Sequence, residues 1–152
     1  MSGRDANAVV TVAKNLDIEQ SVTDWRDVIA RSDVDVIDIC TPPGTHAEIA
    51  IAAANAGKAV LCEKPLATNY HDAALARDAV LAAGVHHAVG FNYRRLPAIS
   101  LMAQMIANGD LGDIRLWRGT WLSDEFVDNA LGFDWRFEKN MGGTTIADLG
   151  SH

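Results

Sequence analysis

Short β-branched runs alternate along this chain with Ala-rich stretches of helical length, and that alternation leaves few folds open. Val34-Asp35-Val36-Ile37-Asp38-Ile39-Cys40 has the length and branching of a strand, and Thr41-Pro42-Pro43-Gly44 stops it. Residues 46–56 then read as a helix, closed by Gly57 in the position of a C-cap. Ala59-Val60-Leu61-Cys62 is a second buried strand, ended by Glu63-Lys64-Pro65. Thr68 offers an N-cap for a helix running to Ala83 and stopped by Gly84, and residues 86–91 form a third strand. Upstream, residues 5–16 carry a loose apolar stripe. Residues 24–31 read as a helix capped by Thr23, with Asp24 and Asp27 favouring the positive end of its dipole. Downstream, the pattern predicts a helix over 98–108, a longer strand over 113–121 and a last helix over 144–152, entered through Gly142-Gly143.

Strands separated by helices of about 10–15 residues make βαβ units and a parallel sheet. Right-handed crossovers put the strand C-terminal ends on one edge, where ligands bind such sheets. Thr41-Pro42-Pro43, Glu63-Lys64-Pro65 and Asn92-Tyr93-Arg94 follow three successive strands and so gather at that edge. From spacing alone they are either a site or three ordinary βα loops.

Composition narrows the function class. The chain is 49% hydrophobic and 22% charged, close to the globular average, which excludes a disordered or collagen-like protein. The net charge is −7; residues 1–76 hold 11 acids against 6 bases and residues 77–152 hold 9 against 7. Neither half presents a basic face, so neither nucleic acid nor an anionic membrane is an expected partner. No apolar run approaches the ~18 residues of a membrane span, and the polar start Met-Ser-Gly-Arg-Asp has no signal-peptide core. Cys40 and Cys62 lie in strand-like runs and are expected as buried free thiols of a reducing compartment, which makes the cytoplasm the expected location. His86 and His87 alternate across a strand, which sets their rings on opposite sides and argues against a metal site. Trp25, Trp117, Trp121 and Trp135 read as packing residues. Trp117 and Trp121 share one face of their strand, as a sheet-packing or oligomer surface would.

Several pieces, taken in order, resemble the Gfo/Idh/MocA oxidoreductases. They are Asp35-Val36-Ile37-Asp38-Ile39-Cys40-Thr41-Pro42, His46, Gly57-Lys58, Glu63-Lys64-Pro65-Leu66, Gly90-Phe91-Asn92-Tyr93-Arg94, Gly109-Asp110-Leu111-Gly112, Gly142-Gly143 and Asp148-Leu149-Gly150-Ser151-His152. The likeness runs through essentially the whole chain, and its weight lies in the order of the pieces. It implies an α/β fold: an incomplete Rossmann-type parallel sheet over residues 1–95, then over residues 96–152 the start of an α/β substrate and oligomerisation domain with an open sheet. Members mostly oxidise or reduce sugars, cyclitols and related compounds with NAD or NADP. The resemblance thus implies a sugar, polyol or cyclitol substrate, and a homo-oligomer when full length.

Site residues follow by position. Lys64 matches the family's catalytic lysine, whose ammonium stabilises a developing alkoxide; alone, it is a lysine in a turn. Asp148 and His152 lie four apart, on one face of a helix. The family uses them beside the lysine, with the imidazole (pKa ~6.5 unperturbed) as general base and the carboxylate orienting it or touching substrate. Thr41, Pro42 and His46 match the turn that lines the dinucleotide, Glu63 a nicotinamide-side contact, and Asn92 and Arg94 the cofactor and substrate edges. Arg4, following a presumed second strand, leans slightly toward a 2′-phosphate and hence NADP.

One departure stands out. The sequence has no Gly-x-Gly-x-x-Gly, and Met1 to Asp5 resemble the segment just after the family's second strand. The expectation is therefore an internal fragment that binds NAD(P) weakly or not at all by itself. An NAD-dependent glycosidase on the same scaffold and a truncated, non-enzymatic remnant remain as alternatives.

Overall fold

The computed structural model describes residues 1–124, 127, 132, 134–144 and 146–151. Helix α1 spans Ala6–Asn15 and begins where Asp5 accepts from the amides of Asn7 and Ala8 at 2.8 and 2.9 Å. Helix α2, Trp25–Ile29, is capped by Asp24, whose carboxylate takes the Arg26 amide at 2.9 Å. Thr23 is therefore one residue too early for the cap. Strands β1 (Val36–Ile39), β2 (Ala59–Cys62) and β3 (His87–Val89) form a parallel sheet in the order β1-β2-β3. Val36 pairs with Ala59 and Val60 with His87. Residues 1–3 and 20–22 make a separate parallel contact through Ser2 and Val22. The α/β, parallel-sheet architecture expected from the pattern is the one observed, and it is Rossmann-like, as the resemblance implies.

Helix α3 (His46–Asn55) connects β1 to β2 and α4 (Tyr70–Ala83) connects β2 to β3. Both pack on one face of the sheet. Ile37, Ile39, Val60 and Cys62 point into that interface and meet Ile49, Ala50, Ala53, Ala54, Ala76 and Val80. The alanines are what allow it: with so little side chain between them, α3 and α4 lie close against each other and the strands. Gly57 and Gly84 leave the two helices at φ +73° and +65°, where only glycine is unstrained. The cap of α4 is Asn69, accepting from the Asp72 amide at 3.0 Å, and not Thr68.

Among the described residues, none covers the opposite face of the sheet in this way. Val36, Asp38, Cys40 and Leu61 are exposed there, because side chains alternate along a strand. Cys40 is thus an exposed thiol and corrects the expectation of burial, whereas Cys62 is 1% exposed. Helix α5, Pro97–Ala107, follows a 3-10 turn at Asn92–Arg95. The strand expected over 113–121 does not form. A strand exists only with a lateral partner, and among the described residues none pairs with this segment. Trp117 and Trp121 are accordingly exposed at 69% and 55%, not core residues, and Trp121 stacks on Tyr93 at 5.7 Å. The last helix is shorter and wider than expected, a π-helical turn at Ile146–Gly150.

Candidate active site

The C-terminal ends of the three strands turn at Thr41, Glu63 and Gly90, and Thr41, Pro42, Glu63, Lys64 and Asn92 follow them directly in the chain. After β1 the chain makes a 3-10 turn, Pro43–Thr45, that runs into α3. The Thr45 hydroxyl donates to the Pro42 carbonyl at 2.9 Å and pairs with the Thr41 hydroxyl at 2.7 Å, which closes the turn. His46 is 1% exposed. Its Nδ1 lies 2.8 Å from the Pro65 carbonyl and its Nε2 2.5 Å from the Thr41 carbonyl. The ring is a strut between the turn after β1 and the turn after β2.

That second turn carries Lys64, joined to Pro65 by a cis peptide bond. Glu63 accepts from the Lys64 amide at 3.1 Å and lies over Gly90, where a Cβ would sit 3.0 Å from its Oε1. The Lys64 side chain leaves the exposed rim and reaches Asp148, 84 residues away. Nζ donates to Asp148 Oδ1 at 2.8 Å and, more closely still, to the Asp148 carbonyl oxygen. The two side chains are 13% and 23% exposed. An ammonium has three donors; two are taken by Asp148, which leaves one without a partner among the described residues.

Asp148 has a second cation. Arg136 Nε donates to Oδ2 at 3.2 Å, Arg136 Nη1 contacts Asp134 Oδ1 at 3.2 Å, and the guanidinium lies 4.7 Å over the Trp135 ring. Burial pushes the Asp148 carboxyl up, but the hydrogen bond and charge of Lys64, joined by those of Arg136, outweigh it and hold the group below its ordinary value. It is a carboxylate with both oxygens committed.

Glycines seat this segment on the strand turns. A Cβ at Gly142 would sit 2.8 Å from Pro43 Cβ, and one at Gly44 3.0 Å from the Asn140 carbonyl oxygen. A Cβ at Gly143 would lie 2.2 Å from the Arg136 carbonyl oxygen. The Gly142-Gly143 pair therefore serves close backbone approach on two sides, to the Pro43 turn and to the Trp135–Phe137 turn.

Of the other expected site residues, Thr41 and Asn92 are exposed at the strand ends. Arg94 lines an open cleft of about 290 Å³ with Val89, Phe91 and Arg95. Arg4 is exposed, two residues past the Ser2–Val22 contact. His152 lies outside the described residues. Arg136 was not found by sequence reasoning; its signal was an Asp-Trp-Arg triplet close before the glycine pair. Among the described residues no three His, Cys, Asp or Glu side chains gather as a metal site, and no helix is long and apolar enough to cross a membrane.

Residues 2–91 match the profile of the GFO_IDH_MocA oxidoreductase family with its NAD-binding Rossmann fold, and residues 99–152 match a C-terminal domain of the same family. The chain belongs to the Gfo/Idh/MocA oxidoreductases. Levoglucosan dehydrogenase of Pseudarthrobacter phenanthrenivorans is 43% identical over 141 residues, 92% of this chain and 36% of that protein. Inositol 2-dehydrogenase of Gluconacetobacter diazotrophicus is 41% identical over 90 residues, 59% of this chain and 27% of that protein. A structure of levoglucosan dehydrogenase in complex with NADH and levoglucosan superposes with a TM-score of 0.91 at 40% identity, covering 99% of this chain and 41% of that one. An oxidoreductase domain protein from Kribbella flavida gives 0.90 at 43% identity, covering 99% and 41%. The matched part of the chain thus spans 27–41% of the length of these proteins.

For an NAD-binding family, the donor set at the strand ends fits the nicotinamide end of a dinucleotide. The Thr41 hydroxyl, the Asn92 amide and the Glu63 carboxylate suit ribose and carboxamide groups. A glycine-rich turn to supply amides to a pyrophosphate is not part of residues 1–152.

Proposed function

We propose that this chain carries the catalytic centre of an NAD(P)-dependent dehydrogenase acting on a secondary hydroxyl of a sugar, polyol or cyclitol. The reading rests above all on the Lys64–Asp148 contact. Two charged side chains 84 residues apart meet, largely buried, at the edge where a parallel sheet binds ligands.

The roles follow from the geometry and the resemblance together. Bound NAD or NADP supplies the acceptor for the hydride leaving the carbinol carbon. Lys64 directs its third N–H at the substrate oxygen and stabilises negative charge growing there. Asp148, with both oxygens held, fixes the direction of that ammonium. His152 takes the hydroxyl proton as the carbon–oxygen double bond forms. Thr41, Pro42, Glu63, Asn92 and Lys64 line the cofactor, and His46 acts by holding the turns that carry Thr41 and Lys64. Arg94 faces the substrate edge, and Arg4 stands where a 2′-phosphate would favour NADP. Residues 1–95 form the nucleotide-binding unit and residues 96–152 the beginning of the substrate and oligomerisation domain. The protein works as a homo-oligomer in the cytoplasm.

The test is net NADH or NADPH formation by the full-length protein that contains this chain, with levoglucosan, myo-inositol and D-glucose as probes. Turnover with at least one is expected, and Lys64→Ala should lower it about 10²–10³-fold. A Lys64→Ala protein with near-normal kcat removes Lys64 from the mechanism. Failure of every probe with both cofactors removes the dehydrogenase reading.

A further inference from the structure

Asp148 carries two cations of different kinds. Lys64 is on the turn after β2; Arg136 comes from the turn at Trp135–Phe137, just ahead of the π-helical turn that holds Asp148. They divide the carboxylate, Oδ1 to Lys64 Nζ at 2.8 Å and Oδ2 to Arg136 Nε at 3.2 Å. A carboxylate held at one oxygen swings about its Cβ–Cγ bond, whose torsion is broad. Held at both, it has one orientation.

Arg136 is itself fixed on three sides. The Asp134 carboxylate takes Nη1 at 3.2 Å and also caps the turn by accepting the Arg136 amide at 2.9 Å. The Trp135 ring lies 4.7 Å beneath the guanidinium. Gly143 presses on the Arg136 carbonyl with no room for a side chain. So much restraint on a long, flexible side chain is more than an exposed ion pair needs, since such pairs contribute only about 0–1 kcal/mol.

We propose that Arg136 is a positioning residue for the catalytic pair: it holds Asp148 Oδ2 so that Oδ1 faces Lys64 and the ammonium's remaining donor points at the substrate. The proposal rests on the dehydrogenase reading for its catalytic consequence, while the geometry it asserts can be read without any turnover.

The experiment follows the Asp148 carboxyl carbon by NMR in protein labelled with [4-13C]aspartate, using Asp148→Asn to identify the resonance. In Arg136→Gln the titration midpoint of Asp148 should rise, and Arg136→Lys, which keeps the charge but loses the fork, should fall between the two. In the same preparations kcat/KM for the sugar should drop about tenfold or more in Arg136→Gln, the scale of a lost hydrogen bond to a charged group, with KM for NAD unchanged. A merely structural arginine would lower stability and leave the Asp148 midpoint where it was. If Arg136→Gln does not fold, Trp135→Leu removes the ring beneath the guanidinium without changing charge, and the same rise is expected. An unmoved midpoint overturns the proposal, as does unchanged turnover in Arg136→Gln. A moved midpoint in a protein that turns over none of the sugars leaves the positioning intact and sinks the dehydrogenase reading instead.

Discussion

A single methyl group at Gly143 tests whether the Asp134–Arg136 turn sets the site. In Gly143→Ala the new Cβ would lie 2.2 Å from the Arg136 carbonyl oxygen, 2.5 Å from its carbonyl carbon and 2.7 Å from the Trp135 carbonyl oxygen. Ordinary van der Waals contact begins at 3.4 Å, so the backbone must part by about 1 Å. All three neighbours are main-chain atoms, and no rotamer change relieves the clash. Overpacking of this kind costs about 1–3 kcal/mol, a fall in Tm of about 3–10 °C. The effect on chemistry is the sharper part. Arg136 Nε already stands 3.2 Å from Asp148 Oδ2, and another ångström takes it beyond hydrogen-bond reach. A misplacement of about 1 Å costs about 10²-fold in rate. Gly132→Ala is the control: among the described residues a Cβ there meets nothing within 4 Å, and stability should stay within about 0.5 kcal/mol. Thermal unfolding and the rate of NADH formation are measured on the same preparations. A Gly143→Ala protein with unaltered Tm and turnover would refute the close approach on which this reasoning stands.

The sheet was legible because its signals are local. β-branched runs such as Val36 to Ile39 and the glycine stops at Gly57 and Gly84 are written into short stretches of sequence, and the structure places strands and helix ends there. Caps were legible in kind but not in register. Asp24 and Asn69 each stand one residue after the Thr expected, and only the position of the first helical amide decides between neighbouring oxygens. The segment 113–121 shows the limit: its alternating apolar residues describe what a strand needs, whereas forming one depends on a partner that no local pattern supplies. For the site, the resemblance named Lys64 and Asp148, and spacing alone left each as an ordinary surface residue. What joins them is the seating of Gly142 on Pro43, a contact between segments about a hundred residues apart with no periodicity to betray it. Arg136 was invisible for the same reason, since its partner is defined only once that seam has closed.

The remaining expectations test burial, charge and proton traffic. Cys62 is buried, and burial pushes its thiol up to about 12, so only Cys40 should react with a thiol reagent in the folded protein and both after unfolding; two equally fast thiols in the native state would contradict the packing of β2. His46→Ala removes a buried ring from between two carbonyl oxygens and should cost about 2–4 kcal/mol in urea unfolding, a loss under about 1 kcal/mol showing that the ring is no strut. Asp148 is held below its ordinary value when folded, so its contribution to stability is present above the unfolded carboxylate pKa (~3.9) and is lost as pH falls through the folded value. Asp148→Asn should therefore flatten the acid limb of the stability curve, and an unchanged limb would mean that the carboxylate is not held as described. The same commitment of Asp148 decides where the substrate proton goes. One carboxylate oxygen accepts from Lys64 and the other from Arg136, and a proton taken there would cancel the charge that both cations hold in place. A carboxylate held below its ordinary value in this way is a poor base near neutral pH. If His152 is the acceptor, kcat/KM should fall on the acid side with a midpoint in the imidazole range, ~6.5, and His152→Ala should abolish that limb. A limb in the carboxylate range that vanishes in Asp148→Asn would make Asp148 the base, and would show that Lys64 and Arg136 release it during turnover.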